Sequence, residues 1–172
     1  MRIAREEYIL HPADRVYPLV RDRIYELLPK LPGVESIEIL SRAAEGKGKT
    51  RVRSRWKLRP PAFLRPLLPS SAFVWEEDAL WIDKKYCVES RVRGFGYESR
   101  ARTFYEPASD YTRVRIEAAV SFRPESVEIP KANLDKILAG AEQALREAIE
   151  PNMTALLEAI GEHLGERSPT EE

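Results

Sequence analysis

The sequence contains one cysteine, two histidines and no net charge, and each of these shortages excludes a class of function. Cys87 has no partner for an internal disulfide, so a reducing, cytoplasmic location is expected. One cysteine and two histidines are too few for a cysteine-rich zinc site, and we expect neither a metal nor a cofactor. The 28 basic residues balance 28 acidic ones, which argues against a general polyanion binder.

Long apolar runs are also missing. The first residues are mostly charged, which predicts no signal peptide, and uncharged stretches such as 66–75 are too short to cross a bilayer. A chain of 172 residues with 43% hydrophobic and 33% charged residues is typical of one globular domain. We expect this domain over residues 1–166, followed by a flexible polar tail over 167–172.

The apolar spacing changes along the chain. Residues 2–10 indicate a strand, and residues 13–28 have helical spacing, which Pro18 interrupts with a kink or a division into two short helices. From Val34 to Phe122 the period is two, and short turns separate the strands, which predicts an antiparallel meander. A continuous apolar stripe over 134–164 predicts a long C-terminal helix with a kink near 147–151.

This order of elements resembles the START-like superfamily, also called SRPBCC, which includes birch-allergen-like proteins and polyketide cyclases. The resemblance depends on five segments, which are 9–22, 31–37, 50–56, 111–114 and 149–153. It implies an α+β helix-grip fold, in which a seven-stranded antiparallel sheet wraps around the C-terminal helix after two short helices. It also implies an apolar cavity between sheet and helix, whose ligand differs among members.

One face of the predicted sheet mixes large aromatic residues with small and hydroxyl-bearing ones. Small residues leave room above the sheet, and hydroxyl groups could orient a ligand in an apolar pocket. The alternative is a filled core in which these hydroxyls are satisfied internally. The candidate ligand-binding residues are Ser54, Trp56, Trp75, Tyr86, Tyr97, Ser99, Thr103 and Tyr105 on the sheet, with Ile137, Ala141 and Leu145 on the helix.

Glu77 is the one candidate for a catalytic acid or base. It shares the parity of Trp75 and Trp81, so an unbroken strand would turn its carboxyl group into the cavity and raise its pKa. Because acidic residues also flank it at positions 76 and 78, we favour a bulge that turns Glu77 outward.

Residues 60–71 form an apolar segment with four prolines, which suits neither a paired strand nor a long helix. It could be a lid or entrance to the cavity, an edge that contacts a membrane transiently, or a loop packed on its own domain. The residues that would act in the first two cases are Phe63, Leu64, Leu67 and Leu68.

Five basic residues alternate along the outer face of the strand over 51–59. No aromatic residues lie between them, so we expect no nucleic acid partner but cross-strand ion pairs with Glu76, Glu77 or Glu98.

His11 and His163 have no evident Ser or Cys partner, and Cys87 has outward parity, so a Ser-His or Cys-His nucleophile is not expected.

These observations leave three classes of function. The first is a non-enzymatic carrier or sensor of a hydrophobic small molecule, such as a lipid, a quinone or a polyketide-like compound. The second is a cyclase- or aromatase-like enzyme that uses Glu77 or a tyrosine in the cavity. The third is a protein-interaction module that uses the outer face or the apolar segment. The sequence does not identify the oligomeric state.

Overall fold

The structure is a computed structural model, and it describes residues 2–59, 69–122 and 153–165. The strands in chain order are β1 (Arg2–Ile9), β2 (Val34–Ala44), β3 (Lys49–Leu58), β4 (Val74–Ile82), β5 (Cys87–Gly94), β6 (Tyr97–Ala108) and β7 (Tyr111–Phe122). The helices are α1 (Ala13–Arg23) and α2 over 153–165, with short 3-10 segments at Ile24–Lys30, Ser70–Phe73 and Asp83–Lys85.

The seven strands form one antiparallel sheet in the order β1-β7-β6-β5-β4-β3-β2. Strands β2 to β7 are therefore a meander, as the turn signals predict, and β1 returns to pair with β7. Gly46 and Gly48 both have positive φ in the turn between β2 and β3, a conformation that disfavours residues with a Cβ. Two register shifts in β2 add local bends at the edge of the sheet.

Helix α1 is a single α-helix across Pro18, so of the two alternatives, a kink or a division into two helices, the division at this proline is wrong. The change of helix type falls instead at Ile24, where a 3-10 helix begins and continues to Lys30. Val16 and Leu19 have no exposed surface, so α1 packs an apolar face into the core despite the internal proline.

Both helices lie against the same face of the sheet, which we call the inner face. Ile160 of α2 is 1% exposed and belongs to one buried cluster with Val114 of β7 and Leu19 of α1. Arg5 of β1 also donates a 2.8 Å hydrogen bond to Thr154 Oγ1 of α2. No helix in the described ranges is both long enough and apolar enough to span a bilayer.

Candidate functional site

Glu77 lies on the inner face, near the centre of the sheet. It pairs with Ser54 of β3 and Val92 of β5, and both registers are continuous past it. The expected bulge that turns Glu77 outward is therefore wrong. Glu77 shares the parity of Ala79 and Trp81, which are buried in the core, so its side chain lies on the inner side of the sheet.

A short chain of hydrogen bonds leads to the Glu77 carboxyl group. The indole Nε1 of Trp56 donates to Ser54 Oγ at 3.0 Å, and Ser54 Oγ donates to Glu77 Oε2 at 3.5 Å. Burial raises the pKa of Glu77, while hydrogen bonds from Ser90, Trp56 and Ser54 act in the opposite direction. The negative charge of Asp78 raises this pKa further.

Three aromatic residues, Trp56, Trp75 and Tyr97, belong to this end of the sheet, on β3, β4 and β6. The rings of Trp56 and Trp75 lie with their centroids 6.0 Å apart, and both side chains are partly exposed. Tyr97 covers the backbone of Gly94 so closely that a Cβ at Gly94 would collide with the tyrosine ring. Burial also raises the pKa of Tyr97, so its hydroxyl stays protonated at neutral pH.

Ser99 lies beside this aromatic group, paired with Val92 of β5 and Val120 of β7. It is partly exposed, as are the other residues of this region. We call the region the open end of the inner face, and it consists of Trp56, Trp75, Glu77, Tyr97 and Ser99.

The opposite end of the inner face is closed by α1. The Tyr17 ring contacts three aromatic rings edge to face, at centroid distances of 5.3 Å to Trp81, 5.3 Å to Tyr86 and 5.7 Å to Tyr105. Trp81 and Tyr105 are 7% and 6% exposed, and Tyr17 is 2% exposed. We call these four residues the closed end.

Two candidate ligand residues thus lie in packed surroundings. Tyr105 is part of the closed end, and burial raises the pKa of its hydroxyl. Tyr86 was expected on the inner face of a strand, but it precedes β5 in the left-handed conformation with φ of 43°. Thr103 is partly exposed between the two ends and pairs with Val88 and Ile116. Ser54 is buried, at 6% exposure.

Seven candidates lie outside the described residues. They are the helix positions Ile137, Ala141 and Leu145 and the lid or entrance positions Phe63, Leu64, Leu67 and Leu68. Two residues absent from the candidate set contribute to the site, namely Ser90, which donates to Glu77, and Tyr17, which closes one end. The inward parity of Ser90 in β5 was the signal available in the sequence for the first of these.

The histidines and the cysteine lie apart from this site. His11 Nε2 is 3.0 Å from the carbonyl oxygen of Gly161, and His163 Nε2 is 3.3 Å from Glu26 Oε2. Cys87 is 2% exposed, and burial raises the pKa of its thiol.

The outer face is a network of ion pairs. Arg55 pairs with Glu76 at 2.8 Å, and Lys57 pairs with Glu35 at 2.6 Å. Glu76 was an expected partner of the basic stripe, whereas Glu77 faces the other way and Glu98 pairs with Arg91 at 2.6 Å.

An open groove of about 740 Å³ also lies along the sheet. It is lined by arginines together with Asp78, Glu89 and Glu117. Arg102 in this groove already pairs with Glu89 at 2.7 Å, so opposite charges meet there within the chain.

No family model matches the chain, and no curated protein matches it in sequence. Solved structures do match. TTHA0849 of Thermus thermophilus is 22% identical with a TM-score of 0.68, over 98% of this chain and 100% of that one. The Zhui aromatase/cyclase of Streptomyces is 16% identical with a TM-score of 0.69, over 97% and 94% of the two chains.

A third similar structure is norcoclaurine synthase of Thalictrum flavum in complex with dopamine and hydroxybenzaldehyde. It is 17% identical with a TM-score of 0.56, over 98% of this chain and 88% of that one. All three likenesses extend over nearly the whole chain and agree with the seven-stranded sheet and the C-terminal helix described above. The chain therefore has the helix-grip α+β fold, which is the fold that the resemblance to the START-like superfamily implies.

Proposed function

We propose that the protein binds a hydrophobic small molecule over the open end of the inner face, as a carrier or sensor. The observation that supports this best is the difference in exposure along one sheet face. Trp56, Trp75 and Tyr97 are partly exposed, whereas Trp81 and Tyr105 at the closed end are buried. Aromatic surface that remains accessible on the helix side of a sheet suits an apolar ligand.

Burial of that surface would supply the affinity, at roughly 25 cal/mol per Å² before the costs of association. The hydroxyl groups of Ser99 and Tyr97 would fix the orientation of the ligand. The likeness to a synthase that holds two small aromatic compounds supports the size and character of such a ligand. Lipids, quinones and polyketide-like compounds are the classes that we propose.

The test is native mass spectrometry of the protein from its own host, together with a thermal-shift panel of hydrophobic ligands. Ser99→Trp fills the open end, and Arg100→Trp is its matched control, because the neighbouring Arg100 side chain points outward and is 74% exposed. We expect Ser99→Trp to lose ligand binding and Arg100→Trp to retain it, with both variants folded by circular dichroism. An empty wild-type protein that no panel member stabilises contradicts the proposal.

A second candidate function is a cyclase-like enzyme, favoured by the inward position of the Glu77 carboxyl group. An acid whose pKa is raised keeps its proton to higher pH than an ordinary carboxyl group, so it can donate that proton to a bound substrate. Glu77→Gln separates the two functions. Loss of turnover with retained ligand binding supports the enzyme, and unchanged behaviour supports the carrier.

A further inference from the structure

The Glu77 carboxyl group has no cationic partner among the described residues. The basic side chains of β3 reach the acids on either side of it, with Arg55 bound to Glu76 and Arg51 bound to Asp78. Those pairs lie on the outer face, whereas Glu77 faces inward. The neighbouring charge of Asp78 is negative, and it raises the pKa of Glu77.

Hydrogen bonds reach the Glu77 carboxyl group from both neighbouring strands, from Ser54 and Trp56 of β3 and from Ser90 of β5. Ser54 Oγ accepts from Trp56 Nε1, so the hydroxyl proton of Ser54 is directed towards Glu77 Oε2. These contacts hold the carboxyl group at the open end, where burial removes it from water although the residue as a whole keeps intermediate exposure. They come from neutral groups, which stabilise a negative charge less than a cation would.

A carboxylate that loses water without gaining a cation is costly, and such a group commonly keeps its proton instead. The neutral acid has an O–H donor, which the ionised form lacks. We propose that Glu77, as a neutral carboxylic acid, donates a hydrogen bond to a carbonyl oxygen of the bound hydrophobic ligand. This inference rests on the proposed function and narrows the ligand class to ketones and quinone-like compounds.

Three probes that share one apolar skeleton test this inference. They are 2-acetylnaphthalene with a carbonyl oxygen, 2-ethylnaphthalene without a polar group, and 1-(2-naphthyl)ethylamine with a cationic amine. Affinities are measured by calorimetry for wild type, Glu77→Gln, Glu77→Leu and the outward-facing control Glu76→Leu.

We expect wild type to bind the ketone about tenfold more tightly than the hydrocarbon, the range that one buried hydrogen bond gives. Glu77→Leu loses this preference. Glu77→Gln keeps most of it, because an amide also donates, and Glu76→Leu behaves as wild type.

Infrared spectra of the unliganded proteins should show a carboxylic acid carbonyl band that is absent from Glu77→Gln and present in Glu76→Gln.

Two results overturn the inference and leave the proposed function intact. One is equal affinity of wild type for the ketone and the hydrocarbon. The other is tightest binding of the amine, lost in Glu77→Gln, which would identify Glu77 as a charged partner for a cation. If folded wild type binds none of the three probes, the proposed function fails and this inference fails with it.

Discussion

The two ends of the inner face share the same strands but use their aromatic residues differently. At the closed end, α1 inserts Tyr17 among three rings, and two of them, Trp81 and Tyr105, are buried. At the open end, Trp56 and Trp75 keep part of their surface accessible, and a carboxyl group lies beside them. The difference shows that aromatic residues on one sheet face can pack into the core at one end and keep accessible surface at the other.

The largest effect is expected from truncation at the closed end. Tyr17→Ala removes the ring that contacts Trp81, Tyr86 and Tyr105, and it should lower the free energy of unfolding by about 3–5 kcal/mol. Tyr17→Phe removes only the hydroxyl, which lies 3.3 Å from Asp83 Oδ1, and should cost about 1 kcal/mol. Urea denaturation measures both, and equal losses would show that the ring is not the main contributor.

A smaller change in stability, which varies with pH, is expected from the substitution Glu77→Gln at the open end. The folded-state pKa of Glu77 is raised above its ordinary value near 4.5. Between the two values the folded protein keeps a proton that the unfolded chain releases, so the free energy of unfolding falls as pH rises. The stability of Glu77→Gln relative to wild type should therefore increase with pH across that interval.

Glu76, the preceding residue, is a control for which the pH dependence of stability should have the opposite sign. The hydrogen bond from Arg55 lowers the pKa of Glu76, so its contribution to stability is present above the ordinary value and is lost as pH falls. The stability of Glu76→Gln relative to wild type should thus decrease as pH rises through that region. Urea denaturation at a series of pH values measures both variants, and slopes of the same sign would contradict the assignment of Glu77 to the inner face.

The smallest change in stability is expected from breaking an ion pair on the outer face. Arg55 pairs with Glu76 and Glu38, but all three side chains are well exposed, and water and salt screen such pairs. Arg55→Ala should therefore leave the melting temperature close to that of wild type in physiological salt. A large loss that persists in high salt would show that the ion-pair network stabilises the sheet as a unit.

Most of the fold follows from local sequence signals. Alternation in 51–59 and glycines at 46, 48 and 96 predict strands and turns that the structure confirms. The position of Glu77 could not be deduced in this way, because three consecutive acids suggest an exposed segment. Its inward direction requires an unbroken register with β3 and β5, and that register depends on pairing between distant segments.

The two tyrosines at the closed end illustrate the same limit. Tyr86 has a positive φ without the glycine or asparagine that usually marks this conformation, so its departure from the strand gives no local signal. Tyr17 lies on an apolar helical face, but the three rings that it contacts are distant in sequence.

The pairing of β1 with β7 has a consequence for how the chain folds. Arg2 lies opposite Ala119, more than a hundred residues later, whereas every other strand pairs with its neighbour in sequence. During synthesis β1 has no pairing partner until β7, the last strand of the sheet, has left the ribosome. Closing so long a loop adds entropy cost and raises the contact order, which slows folding. The meander can assemble first, and β1 then docks onto a nearly finished sheet.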